Sequence, residues 1–271
     1  MKRPPVNFLV GGALMAALAA TAALATVWTP FDPLRPNLRA RLRPPSELFW
    51  LGTDEFGRDV LSRLMAGAAT STLVALLTVA LAVALGTVLG LLAGYLRGWT
   101  DRALMAVNDA LLAFPGILLA LGLMSAFGAN KYGIVAALGI AYAPSVVRIV
   151  RGAVLSIRER EYVEASRVMG NSEAYTMLRH VLPNCAAPLI VLSTSMFGWV
   201  VLSESALSFL GLGVPPPAPT WGNMLAAARP HMETAVWLSL APGICIAATL
   251  LGVNLLGDAL RDRLDPRMRA A

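Results

Sequence analysis

The sequence predicts an all-α membrane protein of six transmembrane helices, both termini cytoplasmic, with a cytoplasmic helical loop between helices four and five. Three observations carry this. The 271 residues are 57% hydrophobic and only 14% charged, where soluble domains run about 45–50% and about 25%. The charges are spaced so as to leave long uncharged runs, and mean hydropathy is +0.66. Once six spans are drawn, the basic residues sort by side. Disorder, coiled coil and a disulfide-built secreted scaffold are excluded. Cys185 and Cys245 form no Cys-x-x-Cys pair and His180 lies far from His231, so no metal site is expected. The net charge of +6 suits basic cytoplasmic loops beside a lipid bilayer, and no nucleic acid is expected.

The uncharged run Pro4–Phe31 is helix one. Ala20-Thr21-Ala22 and Ala23-Leu24-Ala25 also fit a cleaved signal peptide, but the run is long for one. Leu64–Leu96, Ala110–Asn130, Tyr132–Val147, Val181–Ser203 and Thr234–Gly257 are helices two to six, a span needing about 20 apolar residues. Helix four is short at 16 residues, and snorkelling of Arg148 lets it continue to Val150. The run Ser205–Arg229 is rejected as a span, because Gly211–Pro219 at its centre cannot satisfy its backbone in lipid. With these spans, 14 of the 22 Lys and Arg lie inside and 8 outside, six of the latter in the first outer segment. The chain reads as one transmembrane domain, 1–271: residues 1–69 are the first helix and outer loop, and 70–271 a five-helix core with a loop at about 151–183.

The outer segment ends in Leu51-Gly52-Thr53-Asp54 through Arg63, where Thr53 or Asp54 can cap a short amphipathic helix and Asp59–Arg63 is an i,i+4 pair. It serves either as a docking surface or as a capped lead-in to helix two. Gly86, Gly90 and Gly94 at four-residue spacing predict close helix packing. Pro115-Gly116 and Pro242-Gly243 are candidate kinks around a path. Asp109 lies near the inner end of helix three. Glu204, flanked by Ser203 and Ser205, follows 23 uncharged residues and faces either a polar cavity or a neighbouring subunit. No acid/base pair or Gly-x-Ser-x-Gly elbow accompanies them, so an enzyme is not expected.

The inner loop is longer than a connector needs. Tyr162, Ala165, Ser166 and Met169 fall at i, i+3, i+4, i+7, Gly170 is placed to end that helix, Ser172 to cap a second and Pro183 to close it. A helix–turn–helix projecting from the membrane suits docking into a groove on a soluble partner. Its mixed charge (Glu159, Glu161, Glu164, Glu173) argues against an amphipathic pair resting on anionic lipid.

Glu164-Ala165-Ser166, then Gly170, then His180-Val181-Leu182-Pro183 resembles the Glu-Ala-Ala loop of permease subunits of binding-protein-dependent ABC importers. Ser166 stands where that pattern has a second Ala, and His180 where Ile is usual. Leu51–Asp54 with Gly57-Arg58-Asp59 and Ser62-Arg63, Ser208–Gly213, Trp221–Met224 and Gly257–Asp262 are similar to the C-type permeases of the dipeptide, oligopeptide and nickel branch. The resemblance implies a B-type permease partner, two ATPase subunits and an extracytoplasmic solute-binding protein. It also makes the loop a coupling element for the ATPases, carried by Glu161, Glu164, Ala165, Ser166, Gly170, Leu182 and Pro183. Asp54, Arg58, Asp59 and Trp221 become candidate binding-protein contacts, and Glu204, Ser203 and Pro115 candidate path residues. Lys2 and Lys131, the only lysines, lie in no phosphate-binding loop, so this chain is expected to bind no cofactor, with ATP and Mg on the partner ATPases. Peptides are the favoured substrate, nickel or a metal chelate the alternative. An ion-driven secondary transporter is the rival class, which intramembrane acidic relays and inverted repeats would mark.

Overall fold

A computed structural model describes residues 6–264 of the chain. The termini bearing Lys2, Arg3, Arg267 and Arg269 lie outside the described residues. The helices are α1 (Val6–Leu24), α2 (Val60–Leu96), α3 (Gly98–Leu112), α4 (Gly116–Phe127), α5 (Lys131–Ile157), α6 (Glu161–Val168), α7 (Glu173–Thr176), α8 (Ala186–Phe209), α9 (Trp221–Ala228) and α10 (Trp237–Leu264). Five stretches are long and apolar enough to cross a membrane unbroken: α1, α2, α5, Glu173–Phe209 and α10. The sixth is the pair α3–α4, bent by 95°.

α5 is the central span, two-thirds buried, and α2 packs along it. The reason lies in the sequence. Gly86, Gly90 and Gly94 form one face of α2, opposite Val146, Val150 and Val154 at the same spacing on α5. A methyl group on these glycines would come within 2.3, 2.8 and 2.9 Å of the three valine Cβ atoms, so only bare backbone permits the approach. α1 docks on α10 by the same device, Gly11 and Gly252 lying against Leu256 and Leu14.

Four expectations change. Helix three is not a kinked Ala110–Asn130 rod. The break at Ala113–Pro115 turns α3 nearly square to α4, since Pro115 lacks an N–H and crowds the preceding turn. α3 is held by charge. Asp101 accepts two bonds from Arg151 at 2.5 and 2.7 Å, and Asp109 one from Arg148 at 2.9 Å. Those pairs also explain why α5 runs to Ile157, past Val150: its arginines meet carboxylates where snorkelling was expected. Pro183 does not close the second loop helix. A π turn (Met177–Val181) and a 3-10 turn (Leu182–Cys185) absorb it, and the helix runs on into α8. Finally, Arg63 pairs with Asp54 at 3.4 Å, because Asp59 caps α2 by accepting from the Ser62 N–H at 2.8 Å.

Candidate functional site

At one end of the bundle, residues 158–185 form a hairpin of α6 and α7. α6 starts with Glu161 and Glu164 in its first turn, where carboxylates suit the positive end of a helix. It ends in a Schellman turn. Gly170 N–H donates to Arg167 O at 2.9 Å, and Asn171 N–H to Ser166 O at 3.2 Å, with Gly170 at φ +82°. Nothing lies within 4 Å of where a Gly170 side chain would begin. The glycine is therefore required by its left-handed backbone and not by crowding. Ser172 then caps α7 by accepting from Tyr175 N–H at 3.2 Å.

Both departures from the family loop pattern are met locally. The Ser166 hydroxyl, fully buried, lies 3.0 Å from the Thr176 hydroxyl and accepts from Asn171 Nδ2 at 3.2 Å. A hydroxyl that would be unsatisfied in an apolar seam thereby becomes the link between α6 and α7. His180 packs against Tyr175 edge-on at 5.9 Å and against Tyr162 at 6.5 Å, so an aromatic cluster supplies the apolar face.

The buried edge of α6 is Val163 and Ser166, not the whole Tyr162–Ala165–Ser166–Met169 line expected from spacing. Val168, Met169, Tyr162 and Leu178 stand exposed beside Glu161, Glu164 and Ala165, an apolar tip with an acidic margin. Leu182 is half-buried and Pro183 exposed at the root. A polar cavity of about 490 Å³ opens beside the tip between Arg158, Glu159, Glu164, Arg167 and Val168. Arg167 is held protonated above its ordinary range, chiefly by the neighbouring Tyr95 hydroxyl, with burial the next influence and opposing, and the charges of Glu173 and Glu159 adding smaller support.

At the other end, Asp54 organises the first long segment. Its carboxylate accepts from Phe56 and Arg58 N–H at 2.9 Å each and from Arg58 Nε at 2.7 Å. Asp54, Asp59 and Trp221 are buried and Arg58 half-buried, so Asp54, Arg58 and Asp59 hold the segment together from within while Trp221 seats α9 on α2. The surface above them is Leu48, Trp50 and Phe56. Trp221 opens α9, donating from its indole to Leu64 O at 3.1 Å and from its backbone N–H to Ser71 Oγ at 3.3 Å.

Glu204 lies under this same end, 1% exposed. Ser208 Oγ donates to one of its oxygens at 2.8 Å. The hydroxyls of Ser71 and of Thr220, the α9 cap, also face the carboxyl, and its Oε2 is outside hydrogen-bonding geometry to the described groups. Glu204 thus points into the subunit, where α2, α8 and α9 meet. Ser203, its neighbour, faces the other way, and its hydroxyl lies 2.7 Å from that of Tyr142, which stacks near the exposed Trp199. Pro115 is exposed at the α3–α4 bend. Tyr142, Thr220 and Ser71 were missed in the sequence; only the fold, which brings Tyr142 to Ser203 and the other two to Glu204, reveals them. Among the described residues no group of three or more His, Cys, Asp or Glu is arranged to hold a metal.

A many-spanning helical bundle with an ordered hairpin at one face is the form of a membrane transport subunit. Residues 86–270 match the family described as binding-protein-dependent transport system inner membrane component, and the chain belongs to that family, multi-pass in the cytoplasmic membrane. A putative peptide transport system permease protein of Brucella suis is 42% identical over 97% of this chain and 88% of its own length. A di/tripeptide transport system permease protein of Pseudomonas aeruginosa is 43% identical over 97% and 89%. A glutathione transport system permease protein of Shigella flexneri is 43% identical over 83% and 74%. A solved amino acid ABC transporter shares the fold, with TM-score 0.51 and 18% identity over 77% of this chain and 94% of its own.

Proposed function

We propose that this chain is one of two permease subunits enclosing a path for di- or oligopeptides, powered by two ATPases that dock on the hairpin 158–185. The observation that carries the reading is the exposed apolar tip of α6 and α7, fixed in shape by the Gly170 turn and the Ser166–Thr176 contact. An ordered apolar knob with an acidic rim is suited to a groove on a soluble protein. The hairpin end is cytoplasmic and both termini lie on that side, in keeping with the arginine-rich inner segments. Nucleotide and magnesium are bound by the partners.

The Asp54 segment and the Gly211–Pro219 loop face a solute-binding protein, with Trp50 and Phe56 as the contact surface. Glu204 supports that end from inside, while Ser203, Tyr142, Trp199 and Pro115 face the path or the second permease. Peptides are favoured over nickel because the named relatives carry peptides or glutathione. Co-expression of the tagged chain with its neighbouring genes, purification in mild detergent and mass spectrometry test the assembly. A second permease and P-loop ATPases are expected. A chain that purifies alone under several detergents refutes it.

A further inference from the structure

The hairpin is joined covalently to two spans, α5 before it and α8 after it, but not to α2. Yet the inner end of α2 is held to it by a cluster around Tyr95, itself only 5% exposed. The Tyr95 hydroxyl donates to Glu173 Oε2 at the start of α7. Arg167 of α6 lies 3.6 Å from the same carboxylate, and its guanidinium is 5.4 Å from the centre of the Tyr95 ring. From the root of the hairpin, Arg158 reaches within 5.9 Å of that ring and donates to Tyr95 O at 2.7 Å and Gly94 O at 3.4 Å. Those carbonyls belong to the last turn of α2, which has no helical partner for them. Arg97 adds a 3.5 Å contact to Glu159 just past the helix.

Followed the other way, α2 runs 37 residues, about 55 Å, to the opposite face. There it carries the Asp54 segment through Arg63 and the Asp59 cap, and α9 through the Leu64 and Ser71 contacts to Trp221. Its inner third, at Gly86, Gly90 and Gly94, is zipped to α5 by bare glycine backbone and has little room to slide.

We infer that Tyr95 clamps the hairpin to α2 and so makes α2 the rod that links the ATPase-docking face to the solute-receiving face. The inference rests on the proposed function. Tyr95 acts as a positioning residue: it touches neither nucleotide nor solute, and its contacts decide whether α2 turns with the hairpin or is left behind.

The test uses the whole complex in lipid nanodiscs with its solute-loaded binding protein. Tyr95→Phe keeps the ring between the arginines and removes only the hydroxyl. Expected are wild-type co-purification of the ATPases, an unchanged thermal midpoint and basal ATP hydrolysis within about twofold, with stimulation by the binding protein falling about tenfold, the scale of one hydrogen bond to a charged group. Glu173→Gln is expected to reduce stimulation likewise, and the double variant to be no worse than Tyr95→Phe alone, as for two members of one unit. Full stimulation in Tyr95→Phe overturns the inference. So does loss of the ATPases or of thermal stability in that variant, because either makes Tyr95 a structural residue of the dock. A wild-type complex whose hydrolysis ignores the binding protein sinks the functional reading itself.

Discussion

Replacing Gly86 by alanine tests the packing that fixes α2 on α5. The added Cβ would sit 2.3 Å from Val146 Cβ and 2.9 Å from Ala143 O. Carbon atoms pack best at about 3.5–4.0 Å, so the helices must part by about 1.5 Å at this point. That strips contact from both neighbours, and we expect a loss of about 2–3 kcal/mol, the upper part of the range for overpacked cores. Gly90→Ala, with its nearest atom at 2.8 Å, should lose about 1–2 kcal/mol. Gly152→Ala on α5, where no atom lies within 4 Å, is the control. It should be neutral or gain up to about 1 kcal/mol, as glycine is a poor helix former. Thermal midpoints of the purified chain in detergent give the ranking. Val146→Gly added to Gly86→Ala should recover part of the loss, because it removes the Cβ that the new methyl meets at 2.3 Å. Equal midpoints for Gly86→Ala and Gly152→Ala would refute the contact geometry.

Gly170→Asp should cost the fold only about 1 kcal/mol, because the position is open and Asp tolerates the left-handed backbone better than most residues. Transport in reconstituted vesicles should be abolished while membrane insertion is normal, the side chain projecting from the docking tip; normal transport would remove the hairpin from the mechanism. Asp54→Ala leaves Arg58 and Arg63, whose side chains are 13% and 8% exposed, without their shared carboxylate. A loss of about 3–5 kcal/mol of local stability is expected, read as rapid proteolysis within residues 37–59. Glu204→Gln should be nearly silent in thermal midpoint, whereas Glu204→Ala strands the Ser208 hydroxyl and should lose about 1–3 kcal/mol. Identical midpoints for the two would show that the carboxyl is not a structural link.

What could be read from the sequence was whatever depends on local chemistry. Five of the spans are uncharged runs, and membrane burial makes such runs unambiguous. The Gly170 stop and the Ser172 cap need only neighbours a few residues away, and both stand in the structure. Most of the failures involve partners distant along the chain, and Pro183 is a local exception. Arg148 and Arg151 suggested a helix end, and only α3 folding back with Asp109 and Asp101 shows why α5 continues. Pro183 read as a stop because nothing local announces a π turn able to absorb it. Asp54, Asp59 and Trp221 looked like surface recognition residues. Polar and aromatic groups also build buried loops, and the difference is set by residues up to 157 positions away, as for the Trp221 bond to Leu64.

The right-angled bend between α3 and α4 carries one more consequence. α4 has 12 residues, about 18 Å of helix against a hydrocarbon layer of about 30 Å. The turn at Ala113–Pro115 therefore falls at membrane depth with Phe114 and Pro115 uncovered, where irregular backbone must be screened from lipid by protein. A copy synthesised without its companions presents that turn to lipid. If the proposed partners supply that cover, cellular abundance of this chain should fall when they are deleted.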